Sequence, residues 1–97
     1  MYGIIGKMIA QDGKRQDLID VLLAGASGMP GSKSYVISKD LSDENAIWIT
    51  EFWDSRESHA ASLKLESVQQ AIERGRPMIA GFGERFEVEP VGGQGVD

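Results

Sequence analysis

The stretch Trp48–Leu63, WITEFWDSRESHAASL, decides the fold. Up to Trp53 it alternates as a strand does, with Ile47, Ile49, Glu51 and Trp53 on one face and Trp48, Thr50 and Phe52 on the other. From Asp54-Ser55 onward the spacing becomes helical: His59, Ser62 and Leu63 fall at i, i+3 and i+4. Asp54 reads as the N-cap and Glu57 as its capping-box partner. Both tryptophans, the only histidine and a carboxylate within an apolar strand lie in this one segment. A strand that runs straight into a helix brings the end of the one against the first turns of the other, which is how a site is commonly assembled.

Working outward, Tyr2–Ala10 has strand character and Gln11-Asp12-Gly13 closes it with turn chemistry. Lys14–Ala26 is helical, with Leu18, Leu22 and Ala26 in one row and Ile19 and Leu23 beside it. Pro30 and the glycines around it stop that helix. Ser34–Lys39 is a second strand, joined by a polar loop to the third, Ala46–Trp53. After the helix that follows Ser55, a further helical segment carries Leu65, Val68, Ala71 and Ile72 on one side, with Gly75 as its C-terminal cap and Pro77 in the turn beyond. Gly81–Glu89 is the last strand. The order β-α-β-β-α-β is the split βαβ, ferredoxin-like arrangement of an α+β protein with an antiparallel sheet. It makes one domain over residues 1–89, followed by a Gly-rich tail, 90–97, mobile or docked on a partner and without core-forming residues.

Both faces of the third strand are largely apolar, and two helices cover only one face of a sheet. An apolar face left open marks association. The expectation is therefore a homodimer joined through the sheet faces.

Composition narrows the chemistry. The 97 residues suit a single small domain, and 41% hydrophobic with 26% charged residues is globular. With no cysteine, disulfides and thiolate chemistry are excluded; one histidine leaves too few ligands for a zinc site. A net charge of −5 with scattered basic residues argues against nucleic acid as partner. No apolar run reaches bilayer-spanning length and no secretory pattern opens the chain, so the expected location is the cytoplasm, with no membrane partner. The glycines at 25, 28 and 31 follow a helix rather than a strand and form no nucleotide-binding loop. Gly3 and Gly6 in the first strand allow another backbone or a ligand to come close. Lys14-Arg15 reads as solvated surface.

Three side chains carry the candidate chemistry. Histidine changes charge near neutrality, which suits His59 to a general base or hydrogen-bond partner; the plainer role is a space-filling residue at a helix–sheet junction. Trp53, at the strand end, is a core residue or a flat wall for an aromatic ligand. Glu51 needs a hydrogen bond or a cation if its face is covered, and Arg85 on the fourth strand is the candidate partner. For Glu51 a structural ion pair and an acid–base role both remain open.

The run T-E-F-W-D-S-R-E-S-H, Thr50–His59, on a β-α-β-β-α-β chain resembles the antibiotic biosynthesis monooxygenase family, across Tyr2 to about Glu89. The resemblance implies a small dimeric α/β barrel and a cofactor-free oxidation of a small aromatic phenol or hydroquinone by O2 to a quinone. It implies His59 as base or hydrogen-bond donor, Trp53 as pocket wall and Glu51 as orienting group, with Ser62 and Arg85 beside the substrate. Many members place the helical histidine nine residues after the tryptophan, where this chain has Ser62. Haem-degrading members use a histidine and an asparagine in segments that here read SVQQAIERG and GIIGKMI, which contain neither. The alternative reading is a non-catalytic dimeric protein that binds a small hydrophobic molecule.

Overall fold

The computed structural model describes residues 1–96. Its elements are β1 (Tyr2–Ala10), α1 (Arg15–Gly25), β2 (Ser32–Lys39), β3 (Ala46–Trp53), α2 (Arg56–Ser62), α3 (Glu66–Gly75), a single 3-10 turn (Arg76–Met78) and β4 (Ile79–Val88). The strands form one sheet in the order β2-β3-β1-β4, with every neighbouring pair antiparallel. This is the α+β, ferredoxin-like arrangement expected from the sequence. Two helical connections leave β1 and β3 at the centre, where alternation is cleanest, and the strand bounds there match those read from the sequence.

Register assigns the faces. Tyr2 pairs with Trp53, Ile4 with Glu51, Gly6 with Ile49 and Met8 with Ile47. Ile4, Ile47, Ile49 and Trp53 are buried, Ile47 and Trp53 completely, so this is the face the helices cover. Leu18, Ile19 and Val21 supply the buried side of α1, while Leu23 turns to solvent at 53% exposure. The opposite face carries Phe52 and Trp48 together with Val36, Phe86 and Val88, the last three 49%, 52% and 38% exposed. Gly3 is required on that face, because a Cβ there would meet the Val88 and Phe52 side chains at 2.7 and 2.8 Å.

Helices α1 and α3 approach closely through small residues. A Cβ on Gly25 would lie 2.6 Å from that of Ala71, and one on Gly75 3.2 Å from Leu18 Cδ1. Gly75 therefore serves interhelical packing and is not the C-terminal cap expected from the sequence: its φ is −78° and the cap of α3 is Arg76.

Three further readings change. The N-cap of α2 is Ser55, whose hydroxyl accepts from the Ser58 amide at 3.1 Å, so the box shifts by one residue and Glu57 takes no part. Asp54 instead lies beside Ser58, whose hydroxyl chiefly holds its carboxyl below the usual range. The tail also contributes to the interior, since Val96 is only 9% exposed, although Val91 is 91% exposed. Asp97 lies outside the described residues.

Arg15 is not solvated surface. One guanidinium nitrogen, Nη1, donates to the carbonyls of Asp40, Asp43 and Ala46 at 3.3, 3.0 and 3.4 Å, fastening the β2–β3 loop to the start of α1. Charged donors to backbone acceptors contribute more than neutral ones. Arg15→Ala should lower stability by about 1–2 kcal/mol in urea unfolding. Lys14→Ala, which removes only an exposed 3.9 Å contact to Asp17, should stay near wild type. Equal losses would show that Arg15 is not a clamp.

Candidate functional site

The site begins with a strand-spacing effect. Glu51 and Trp53 are two residues apart on β3, so both side chains emerge on the covered face. The Trp53 indole N–H donates to Glu51 Oε1 at 3.1 Å. The chain then turns directly into α2. Gly31, at φ +85°, leaves no room for a Cβ against Ser58, and its carbonyl accepts from the Asp54 amide at 2.9 Å. These contacts fix the first turn of α2, which carries His59 back over the strand.

His59 Nε2 lies 3.8 Å from the same Glu51 oxygen that Trp53 holds. The imidazole stands edge-on to Trp53, with ring centres 5.5 Å apart, and is backed by Tyr2 at 5.8 Å. Tyr2 is fixed in turn, its hydroxyl donating to Glu87 Oε2 at 2.6 Å while the Arg56 guanidinium sits over its ring. Arg56 also pairs with Glu87 at 2.9 Å. Ser62 is buried, but its hydroxyl donates to the His59 carbonyl at 2.6 Å, so it braces the helix as it lines the chamber.

Glu51, Trp53, His59 and Ser62 border a chamber of about 200 Å³ between sheet and helices, walled by Met8, Leu22, Tyr35, Ile49 and Ala71 among others. Burial raises the Glu51 carboxyl above its ordinary value, against the Trp53 hydrogen bond and the His59 and Arg85 charges, which pull it down. Tyr35, paired across the sheet with Glu51, is driven well above the ordinary phenol range by burial first and the Glu51 charge second. The arrangement sets an aromatic wall, an imidazole and a partly buried carboxyl around an apolar space. That suits a small flat ligand that can exchange a proton.

The structure thus brings together four of the five side chains singled out in the sequence. Arg85 is different. It lies on the covered side of β4 near Glu51, in a neighbouring depression, but its ion pair is with Glu87 at 3.9 Å. The expected Glu51–Arg85 pair is not formed. Tyr35, Tyr2 and Met8 escaped the sequence reading, because only strand register reveals that they share the face of Glu51. A larger hollow, about 610 Å³ along β4, lies beside the chamber and is apolar apart from Arg76.

Residues 1–74 match the family model described as antibiotic biosynthesis monooxygenase. The chain belongs to that family. A crystal structure of a Chloroflexus aurantiacus J-10-fl protein assigned by name to the same family is 58% identical, covers 99% of this chain and 98% of its own, and superposes with a TM-score of 0.96. One from Deinococcus radiodurans, assigned likewise, is 26% identical over 96% of this chain and 95% of its own, TM-score 0.78. A Caulobacter crescentus CB15 structure at 18% identity, covering 94% and 90%, matches in fold with a TM-score of 0.85. No protein with a curated function matches in the corresponding search. Family and relatives together support a monooxygenase-like role for this chain. Among the described residues no helix is long and apolar enough to cross a membrane.

The raised Glu51 carboxyl has a consequence for stability. Its folded value exceeds its unfolded one, so its stabilising contribution is full below the ordinary glutamate range. That contribution declines as pH rises from there through the folded value. Glu51→Gln keeps an oxygen for the Trp53 N–H and removes the ionisation. Thermal melts should show the variant gaining on wild type at pH 7.5, with the gain shrinking at pH 4. A difference independent of pH would overturn the assignment.

Proposed function

We propose that the protein is a cofactor-independent monooxygenase that oxidises a small phenol, or the related hydroquinone, to a quinone with O2. The supporting observation is the chamber in which the Trp53 wall, the His59 imidazole and a shared Glu51 oxygen face one apolar space. His59 takes the hydroxyl proton, and the phenolate transfers one electron to O2. The resulting superoxide joins a ring carbon that carries hydrogen, opposite the hydroxyl in a phenol or beside it in a hydroquinone, and takes the proton back from His59, forming a C–OOH bond. Loss of that carbon's proton with cleavage of the O–O bond leaves a second carbonyl; the departing hydroxide takes up a proton and leaves as water. One oxygen atom enters the product and the other is reduced. The chain supplies a dry cavity, a positioned base, and a carboxyl that steadies the imidazole as it becomes charged. Trp53 holds Glu51 in register for that task. Ser62 acts through the His59 backbone, and Arg85 faces the adjoining depression from which a substrate hydroxyl could be met.

The open sheet face supports a second element of the proposal, a homodimer joined face to face. Val36, Phe86 and Val88 expose apolar area there beside Phe52 and Trp48. The Trp48 N–H donates to Asp40 at 2.8 Å, and the Lys7 ammonium lies 5.7 Å over its ring, so Trp48 borders the apolar patch as a fixed edge.

Oxygen uptake by metal-free protein with a panel of phenols and hydroquinones tests the chemistry. His59→Ala should lower kcat by about 100-fold or more, the usual contribution of a positioned base. Trp53→Phe strips Glu51 of its donor and should lower kcat/KM by about 10-fold. Full activity in both variants would exclude this site, and saturable binding with no uptake by wild type would identify a binding protein instead. Light scattering at micromolar concentration should report a dimer that Phe86→Asp dissociates; a monomeric wild type would sink the dimer.

A further inference from the structure

Met8 occupies an unusual place. It lines the inner chamber, the large hollow along β4 and a third depression of about 330 Å³ that also contains Gly6 and Arg85. Gly6 leaves that region open: a Cβ there would meet nothing closer than Arg85 Cγ at 4.0 Å. The register of β1 with β4 slips by one residue between Gly6 and Met8, so that Phe82, not Gly83, stands opposite Met8. Such a bulge re-aims side chains. Here it brings Phe82, 74% exposed, to the covered side, where it borders the outer hollow.

Size sets the constraint. A cavity of roughly 150 Å³ holds a benzene molecule. The 200 Å³ chamber therefore takes one substituted ring, and anything longer must leave it. The way into the larger apolar volume is past Met8, Leu22 and Ile72, each of which faces both the chamber and the 610 Å³ hollow. Methionine is unbranched and readily changes rotamer, so it is the wall residue best able to yield.

We propose that Met8 is the partition that sets ligand length, and that the ligand is an amphipathic phenol. Its ring occupies the chamber beside Glu51 and His59, and its apolar substituent runs past Met8 into the hollow along β4. The placement of the ring rests on the function proposed above; the role of Met8 as a passage does not require turnover.

Calorimetric titration under argon with 4-methylphenol, 4-propylphenol and 4-hexylphenol tests it: the substituent blocks the carbon opposite the hydroxyl, and without O2 binding alone is read. In wild type each added methylene that enters the hollow should tighten binding about three- to fourfold. Met8→Phe should erase that gain, so that the three phenols bind with equal affinity, and Met8→Leu, which conserves volume, should retain it. Phe82→Asp charges the far wall at an exposed position and should weaken 4-hexylphenol without touching 4-methylphenol. Affinity independent of chain length in wild type, or a gain that survives Met8→Phe in a variant that melts like wild type, would overturn the proposal. Binding of none of the three would overturn both it and the chamber. Chain-length-dependent binding together with no oxygen uptake from unblocked phenols would remove the oxidation and keep the partition.

Discussion

The hydrogen bond from Trp53 to Glu51 is the constraint on which the site depends. A carboxyl on the covered face of a sheet must find a donor or remain neutral, and either condition is demanding. Trp53 provides a donor from the same strand face, two residues on, at no cost in additional chain. The indole could not do this unless its ring were itself buried and fixed, and it is completely buried. Because α2 begins almost at once after Trp53, the imidazole of His59 is set against that same ring. The site is therefore a local structure, assembled within nine residues of sequence and held in place by the loop at Gly31.

That locality explains what could be read from the sequence. Alternation along β3 and helical spacing after Ser55 are properties of neighbouring residues, and they delivered the bounds of the strand, the membership of its two faces and the grouping of Glu51, Trp53 and His59. The failures involve partners distant in the chain or competition among near-equal neighbours. Ser55 and Asp54 are both good caps one residue apart, and no local pattern records which of the two meets the Ser58 amide. Arg15 looked solvated because its acceptors are three carbonyls of a loop about thirty residues away. Arg85 turned to Glu87 on its own strand and not across the sheet to Glu51, since two residues along a strand share a face as surely as two across a ladder do. Tyr35 became visible only when register placed it opposite Glu51.

Glycine in this chain has several distinct meanings, and only the structure separates them. Gly31 is there for a positive φ and a close contact with α2. Gly25 and Gly75 are there because α1 and α3 touch at those points. Gly3 yields to Phe52 and Val88 on the open face. Gly6 has almost nothing near it, and its missing side chain is left as space beside Met8 and Arg85.

The same helix contact accounts for the cavities. Where α1 and α3 meet through Gly25 and Ala71, their side chains satisfy one another and do not all reach the sheet. Leu22, Ala71 and Ile72, drawn from this pair of helices, roof both the inner chamber and the hollow along β4. A layer of helices pressed uniformly onto the sheet would bury more apolar area, and the half-exposed Ile72 shows that it does not do so here. Stability given up along that line is recovered as open volume above β1 and β4. The central strand β3 completes the division of labour: its Glu51 and Trp53 face this volume, while Trp48 and Phe52, the alternate residues of the same strand, face the other way. A one-residue slip of β3 would exchange the two sets and destroy the chamber and the open apolar face together.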